Sequence, residues 1–172
     1  DRLRSAHIAQ SVESFGIDLN GDSEVGERQP FRNCYSLEIF SGKFASDDGR
    51  SLIVDDALVS FAPANISSYT IPEGVKIIGR RSFPIPYTYD APDDAPDYEV
   101  KLQSVTIPAS VERIDYEAIN HNGMVKEYHF LGMTPPSVAH YSLGSTSLDD
   151  DEIAPVIYVP DGAYRAYAAN TT

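Results

Sequence analysis

Residues 66–83 read ISSYTIPEGVKIIGRRSF and residues 102–119 read LQSVTIPASVERIDYEAI, and these two stretches decide the fold. They align without a gap at an offset of 36 residues, the distance from Ile66 to Leu102. Six aligned positions are identical, including the Thr-Ile-Pro tripeptide that begins at Thr70 and at Thr106. Two unrelated strands would not agree over so long a stretch, so the sequence predicts an internal repeat, the feature to establish before any other.

Each copy begins with alternating polar and apolar residues, which predicts a strand with one buried face. Pro72 and Pro108 follow directly; because proline cannot donate to a β-ladder, both strands should end there. Apolar residues recur three and six positions after each proline, where the chain should turn inward again. We therefore expect one continuous core that contains Ile71, Val75, Ile78, Ile107, Val111 and Ile114. A unit that buries only one side must stack on its neighbours, and the pattern predicts a β-solenoid.

Weaker copies extend the repeat along the chain. The chain of 172 residues fits a single domain, residues 1–172. We place the repeat units at about residues 3–37, 66–83, 102–119 and 124–138, with a closing segment at 153–170.

Two further elements interrupt or end the array. Residues 51–61 form two apolar runs around the acidic pair Asp55 and Asp56, which predicts a β-hairpin insertion. Near the C-terminus, Asp161 should cap a short helix that runs through Tyr164 to about Ala169. This helix should cover the open end of the stack.

Composition excludes several classes of function. There are 26 acidic and 13 basic residues, a net charge of −13, and no basic stripe to neutralise phosphates, so nucleic acid is excluded as a partner. No apolar run approaches the roughly 18 residues of a membrane span, so we expect no transmembrane segment. The single cysteine, Cys34, cannot form an internal disulfide, and we expect it to be a buried structural residue. No arrangement of nucleophile, base and orienting group can be assembled, so we expect no enzyme and no cofactor.

Several stretches together resemble a known family. They are the two repeat copies, FRNCYSL at residues 31–37, FLGMTPP at 130–136 and VIYVPDGAYRAY at 156–167. They resemble the BspA-like leucine-rich repeats of bacterial surface proteins. The resemblance implies a mainly β fold, a short right-handed leucine-rich-repeat-like β-solenoid with irregular loops. It also implies an extracellular or bacterial-surface location and a role in adhesion or protein binding.

One acidic stretch has the spacing of half a calcium loop. Its alternating oxygen ligands are Asp18, Asn20, Asp22 and Glu24. The glycine of a calcium loop is replaced by Ser23 and its bidentate glutamate by Gln29. These departures favour an ordinary polar turn, and no metal is predicted.

A second acidic stretch, between Phe83 and Leu102, carries aromatic residues. The candidate binding residues in it are Tyr87, Tyr89, Tyr98, Asp93 and Asp94. An insertion before Phe31 flanks the same position of the repeat, so both loops should project from one rim. Tyrosines on such a rim would bind a partner, or they would fold back on the edge of the solenoid.

The sequence thus predicts a non-catalytic cell-surface or secreted module that binds an extracellular or host protein. Two alternatives stay open. The same tyrosines would suit a glycan-binding module, and an array this short would also suit a structural cap or spacer of a larger envelope protein.

Overall fold

The computed structural model describes residues 3–15, 30–31, 34–83, 101–119, 125–143 and 154–169. These residues are mainly β with one short helix near the C-terminus, as predicted. The strands are β1 (Ser5–Ile8), β2 (Ile39–Gly42), β3 (Ser51–Val54), β4 (Ala57–Phe61), β5 (Ser68–Thr70), β6 (Ile77–Ile78), β7 (Ser104–Ile107), β8 (Arg113–Ile114), β9 (Glu127–Phe130), β10 (Ser137–Val138) and β11 (Val156–Tyr158). The helix is α1 (Tyr164–Ala168).

The strands form three sheets. β1 pairs with β2, a four-stranded sheet has the order β11-β9-β7-β5, and a five-stranded sheet has the order β10-β8-β6-β4-β3. Every pair is parallel except β3 with β4. Each of the units that begin near residues 66, 102 and 125 therefore contributes one strand to the four-stranded sheet and one to the five-stranded sheet.

The register of the strands follows the period of the sequence. Ser68 lies opposite Ser104, and Ile78 lies opposite Ile114. Both pairs have the spacing of the two aligned copies, so the sequence alignment is the physical pairing. The predicted equivalence of these two units is confirmed.

An additional strand, β2, stacks on the first copy and was not predicted. The carbonyl oxygen of Ser67 accepts hydrogen bonds from the amides of Gln103 and Ser104 at the start of β7 (2.7 and 3.2 Å). In the same way, the carbonyl oxygen of Arg4 accepts bonds from two successive amides at the start of β2 (2.8 and 3.3 Å). The strand escaped prediction because no Thr-Ile-Pro tripeptide marks its end.

Two hydrophobic clusters meet on β4, in which all five residues are buried. The C-terminal cluster contains Leu58 and Phe61 of β4 together with the buried residues of β5 to β9. The N-terminal cluster contains Ala57 and Val59 of β4 together with buried residues from Ile8 to Ala62. The six isoleucines and valines predicted to form one core are at most 5% exposed and all belong to the C-terminal cluster, so that prediction is confirmed.

The predicted β-hairpin is present as β3 and β4, which pair antiparallel. Its turn holds Asp55 and Asp56 at φ of 48° and 62°. Two successive left-handed residues form the turn that matches the twist of a hairpin, and aspartate tolerates this conformation better than most residues. The carbonyl oxygen of Asp56 then accepts bonds from the amides of Lys76 and Ile77 (2.8 and 3.3 Å), which places β6 beside β4.

The closing segment begins as a further unit and then departs from the template. The amide of Ala163 bonds to the carbonyl of Pro160 (3.0 Å), as the amide of Val75 bonds to that of Pro72 (3.3 Å). Gly162 has a φ of 86°, a left-handed value that matches the turn. Where the earlier units form a second strand, this one forms α1.

The predicted cap of this helix is wrong. The N-cap residue is Ala163, and no side chain caps the helix, because Asp161 lies two residues earlier, inside the turn. The ring of Tyr167 packs against Phe130 (5.3 Å between centroids), and its hydroxyl donates to the carbonyl of Gly132 (2.9 Å). α1 has five residues, and none of them is buried, so its predicted role as a cover stays a prediction. No helix among the described residues has the length and hydrophobicity needed to cross a bilayer.

Candidate binding surface

The residues singled out from the sequence lie outside the part of the chain that the structure describes. They are Tyr87, Tyr89, Tyr98, Asp93 and Asp94 of the acidic loop, and Asp18, Asn20, Asp22 and Glu24 of the calcium-like stretch. Their roles remain predictions.

The described anchors of the two insertions lie close to each other on β4. The hydroxyl of Ser60 donates to the carbonyl of Pro30, at the end of the first insertion (3.3 Å). The ring of Phe83, just before the second insertion, stacks on Phe61 (4.5 Å between centroids). The shared rim stays a prediction, but both insertions meet the described fold at the same end of one strand.

The outer face of the four-stranded sheet is a regular surface built from the strands β11, β9, β7 and β5. Alternate residues of its strands point into the core, and Tyr69, Val105 and Tyr128 are buried there. The intervening residues point outward and, by the strand register, form two rows. One row is Ser68, Ser104, Glu127 and Val156, and the other is Thr70, Thr106, His129 and Tyr158.

Short polar side chains fill the half of each row that lies on β5 and β7. Ser68 lies directly opposite Ser104, and Thr70 lies directly opposite Thr106, so four hydroxyl groups stand on two neighbouring strands. Neighbouring strands in a sheet are ~4.8 Å apart, which brings these hydroxyls within reach of a single bound chain. Each hydroxyl can donate and accept a hydrogen bond.

At its C-terminal side the face ends in an aromatic pair. The ring of His129 stacks on the ring of Tyr158, with centroids 4.4 Å apart and an interplanar angle of 6°. Nε2 of His129 lies 3.1 Å from a carboxylate oxygen of Glu127. Tyr158 lies on the edge strand β11 and is 46% exposed. The pair adds apolar contact area to a surface that is otherwise polar. The sequence repeat could not place Tyr158 beside His129, because β11 follows β9 at a different spacing from that between β7 and β9.

A second recurring feature is a ridge of turns that sequence reasoning missed. Arg81, Glu117 and Tyr141 hold equivalent positions and have φ of 50°, 53° and 58°. Glycine would normally mark such left-handed positions, and its absence removes the signal from the sequence. The guanidinium of Arg81 pairs with the carboxylate of Glu117, and Tyr116 packs edge-to-face against Tyr141 (6.0 Å). The ridge thus uses these side chains to hold neighbouring units together.

Other reactive groups have structural surroundings. Cys34 packs half-buried against the N-terminal cluster, less covered than the sequence predicted, and burial raises the pKa of its thiol. Nδ1 of His7 lies 3.0 Å from the hydroxyl of Ser41, its partner across β1 and β2. Within the described ranges, no group of three or more His, Cys, Asp or Glu residues is placed to hold a metal ion.

No protein-family model matches the sequence, and no curated protein matches it at a significant level. The BspA-like repeat family therefore remains a prediction that rests on the residues quoted for it.

Proposed function

We propose that this chain is a non-catalytic, extracellular or cell-surface binding module of solenoid form that contacts a protein through the outer face of its four-stranded sheet. The observation that carries the proposal is the pair of in-register outward rows, polar over β5 and β7 and aromatic at His129 and Tyr158.

The parallel ladders support the solenoid. Successive units add strands to both sheets in chain order, with the register of the sequence repeat. Connections between parallel strands of one sheet are right-handed in about 98% of cases, which supports the proposed hand. The amide of Ala64 bonds to the carbonyl of Leu37 (3.0 Å), which links the chain just after β4 to the start of β2. We infer one continuous stack.

The shape and charge of the outer face favour a protein ligand. A flat array of hydroxyls, one carboxylate and two rings offers hydrogen bonds and contact area without a deep cavity, as protein interfaces do. The net charge of −13 would steer a basic partner toward the chain, and this steering should weaken as salt increases.

Binding of the purified chain to a panel of immobilised extracellular-matrix proteins tests the proposal. Thr106→Lys places a long charged side chain in the middle of the face, whereas Thr134→Lys places one in an exposed turn and is the matched control. We expect Thr106→Lys to weaken binding to any protein found by at least about tenfold, and Thr134→Lys to leave it unchanged. Equal affinities of the two variants would remove the outer face as the binding site.

The same face favours a second candidate function, glycan binding. One face of the Tyr158 ring is covered by His129, while the edge position of β11 leaves the residue substantially exposed beside the hydroxyl rows. A sugar ring could stack there and bond to the hydroxyls. Binding on a glycan array that is lost in Tyr158→Ala, with no protein bound, would select this function. A chain that binds neither class would fit the structural cap or spacer.

A further inference from the structure

Exposed apolar side chains are concentrated at the C-terminal end of the stack. Among the described residues, ten large hydrophobic side chains are exposed, and eight of them lie between residues 131 and 164. They are Leu131, Met133, Val138, Tyr141, Val156, Ile157, Tyr158 and Tyr164. Clusters of this kind mark interaction surfaces more often than isolated apolar residues do.

The opposite end of the four-stranded sheet is covered. The ring of Tyr69 of β5 packs at a tilt against Phe61 (4.6 Å between centroids), and its hydroxyl lies 2.9 Å from that of Ser51 in the hairpin. One row of this sheet points into the core and consists of Tyr69, Val105, Tyr128 and Ile157, which we call the inner row. The first three are buried, but Ile157 of β11 is 50% exposed. Ile157 is therefore the inner-row residue that lacks the cover its neighbours have.

The backbone of β11 is suited to a further strand. The amide of Val156 bonds to the carbonyl of Lys126, the residue just before β9 (2.8 Å). Since alternate residues of a parallel strand face the same neighbour, the amide and carbonyl of Ile157 point toward the open edge. An antiparallel hydrogen-bonded pair joins one residue from each strand through these two groups. Pro155 and Pro160 flank the strand and restrict how far such pairing could extend.

The charge pattern identifies the occupant of this edge. A two-fold contact brings a surface patch against its own copy, so a patch that carries charges of one sign would repel itself. Residues 154–160, APVIYVP, carry no charge although the chain has a net charge of −13. This segment is thus suited to self-contact, and it offers no countercharge to a charged partner.

We propose that two copies of this chain associate through β11, antiparallel about a two-fold axis at Ile157, with the exposed apolar side chains of the C-terminal end buried between them. The contact uses Ile157, the strand edge and the outward side chains of β11, Val156 and Tyr158, whereas the outward residues of β5 and β7, such as Thr70 and Thr106, stay free. The proposal does not rest on the proposed binding function, and the two share only β11, so Thr106→Lys tests the binding face and Ile157→Lys tests the dimer separately.

Cysteine cross-linking tests the two-fold axis directly. In a Cys34→Ala background, Ile157→Cys places one thiol against its own copy. The Cα atoms of a hydrogen-bonded antiparallel pair are ~5.5 Å apart, within the range of ~4.4–6.8 Å that a disulfide spans. We expect mild oxidation to give a covalent dimer. The control is Ile39→Cys, because Ile39 is 48% exposed and lies on β2, away from the C-terminal end.

Sedimentation gives the second readout without added thiols. We expect the unsubstituted chain to sediment as a dimer, Ile39→Lys to do the same, and Ile157→Lys to dimerise at least about tenfold more weakly because two like charges meet on the axis. Thermal unfolding of each variant establishes that it folds. A chain that is monomeric at every concentration would overturn the proposal, as would unchanged dimerisation of Ile157→Lys. Equal weakening by Ile39→Lys would indicate a head-to-tail contact and would also overturn it.

Discussion

The N-terminal and C-terminal clusters share β4 but are held in register by different features. In the C-terminal cluster, repeated residues set the pairing, and Ser68 lies opposite Ser104 because both copies carry the same strand and the same proline stop. In the N-terminal cluster, β2 and the hairpin are placed by single features, such as the turn at Asp55 and Asp56. A periodic sequence therefore predicts strand pairing only where units recur. A left-handed turn that occurs once also sets strand pairing, but the sequence carries no repeated pattern from which that pairing could be predicted.

The largest effect should come from the centre of the C-terminal cluster. Ile107 is 1% exposed, so Ile107→Ala should leave a cavity and reduce the free energy of unfolding by about 2–5 kcal/mol. The matched change Ile39→Ala, at an exposed isoleucine of β2, should cost within about 0.5 kcal/mol. Urea unfolding measures both. Similar losses at the two positions would show that the described difference in burial is wrong.

Alanine substitutions at two glycines, one in each region, compare how tightly the backbone is packed there. Gly42 and Gly74 both have left-handed φ, 86° and 93°, so alanine at either should cost about 1–2 kcal/mol. A Cβ atom at Gly42 would in addition overlap the carbonyl oxygen of Ile8, while one at Gly74 would meet no atom within 4 Å. Gly42→Ala should therefore destabilise the chain more than Gly74→Ala, as thermal unfolding can measure. The reverse order would contradict the close packing of β1 on β2.

Alkaline pH should weaken the contact between the hairpin and β5. Burial raises the pKa of Tyr69 from 10.0 to about 12. The unfolded chain releases this proton first, so stability should fall as pH rises from about 10 toward 12. Tyr69→Phe should show a shallower decline, although it loses the bond to Ser51 at neutral pH. Identical pH profiles for the two proteins would exclude Tyr69 as the cause.

A smaller effect is expected at acid pH, where Asp115 of the C-terminal units titrates. Burial raises the pKa of the Asp115 carboxyl above 3.8, although the guanidinium of Arg113, bonded at 2.7 Å, opposes the rise. The folded chain then holds this proton more tightly than the unfolded chain, so stability should fall as pH rises through the window just above 3.8. Asp115→Asn should remove that part of the slope. An unchanged slope, measured by urea unfolding across the window, would assign it to other groups.

Calcium should have the smallest effect. The stretch from Asp18 to Glu24 lacks the glycine and the glutamate of a calcium loop, so millimolar calcium should leave the melting temperature unchanged. A native-state ligand at 100 times its dissociation constant would stabilise by about 2.7 kcal/mol. A rise of several degrees that disappears in Asp22→Ala would establish the calcium site.

The predictions from sequence were confirmed where the same residue pattern recurs along the chain, and they failed for elements that occur once. Ile71 and Ile107 could be assigned to one core because each precedes an identical proline stop at the end of an alternating strand. β2 was missed because it ends in glycine, at Gly42, without a proline. Asp161 was misassigned as a cap because the turn Pro160–Ala163 copies the repeat turn and delays the helix.

The candidate surface was only partly predictable for a related reason. The alternation around Thr70 and Thr106 identifies the outward positions, but the stacking of His129 on Tyr158 depends on the pairing of β9 with β11. That pairing spans a spacing found nowhere else in the described chain. Pairing across an irregular spacing depends on tertiary contacts that no local pattern records.

Native-state hydrogen exchange tests most directly the claim that the two clusters form one continuous stack joined by β4. The amide of Phe40 bonds within the N-terminal region, to Gly49 (2.6 Å), and the amide of Ile71 bonds within the C-terminal units, to Thr106 (3.0 Å). If β4 couples the clusters, both amides should exchange through the same global opening, with equal free energies and equal dependence on denaturant. An opening at Phe40 with a lower free energy and a weaker denaturant dependence would show that the N-terminal region unfolds alone, and would contradict the continuous stack.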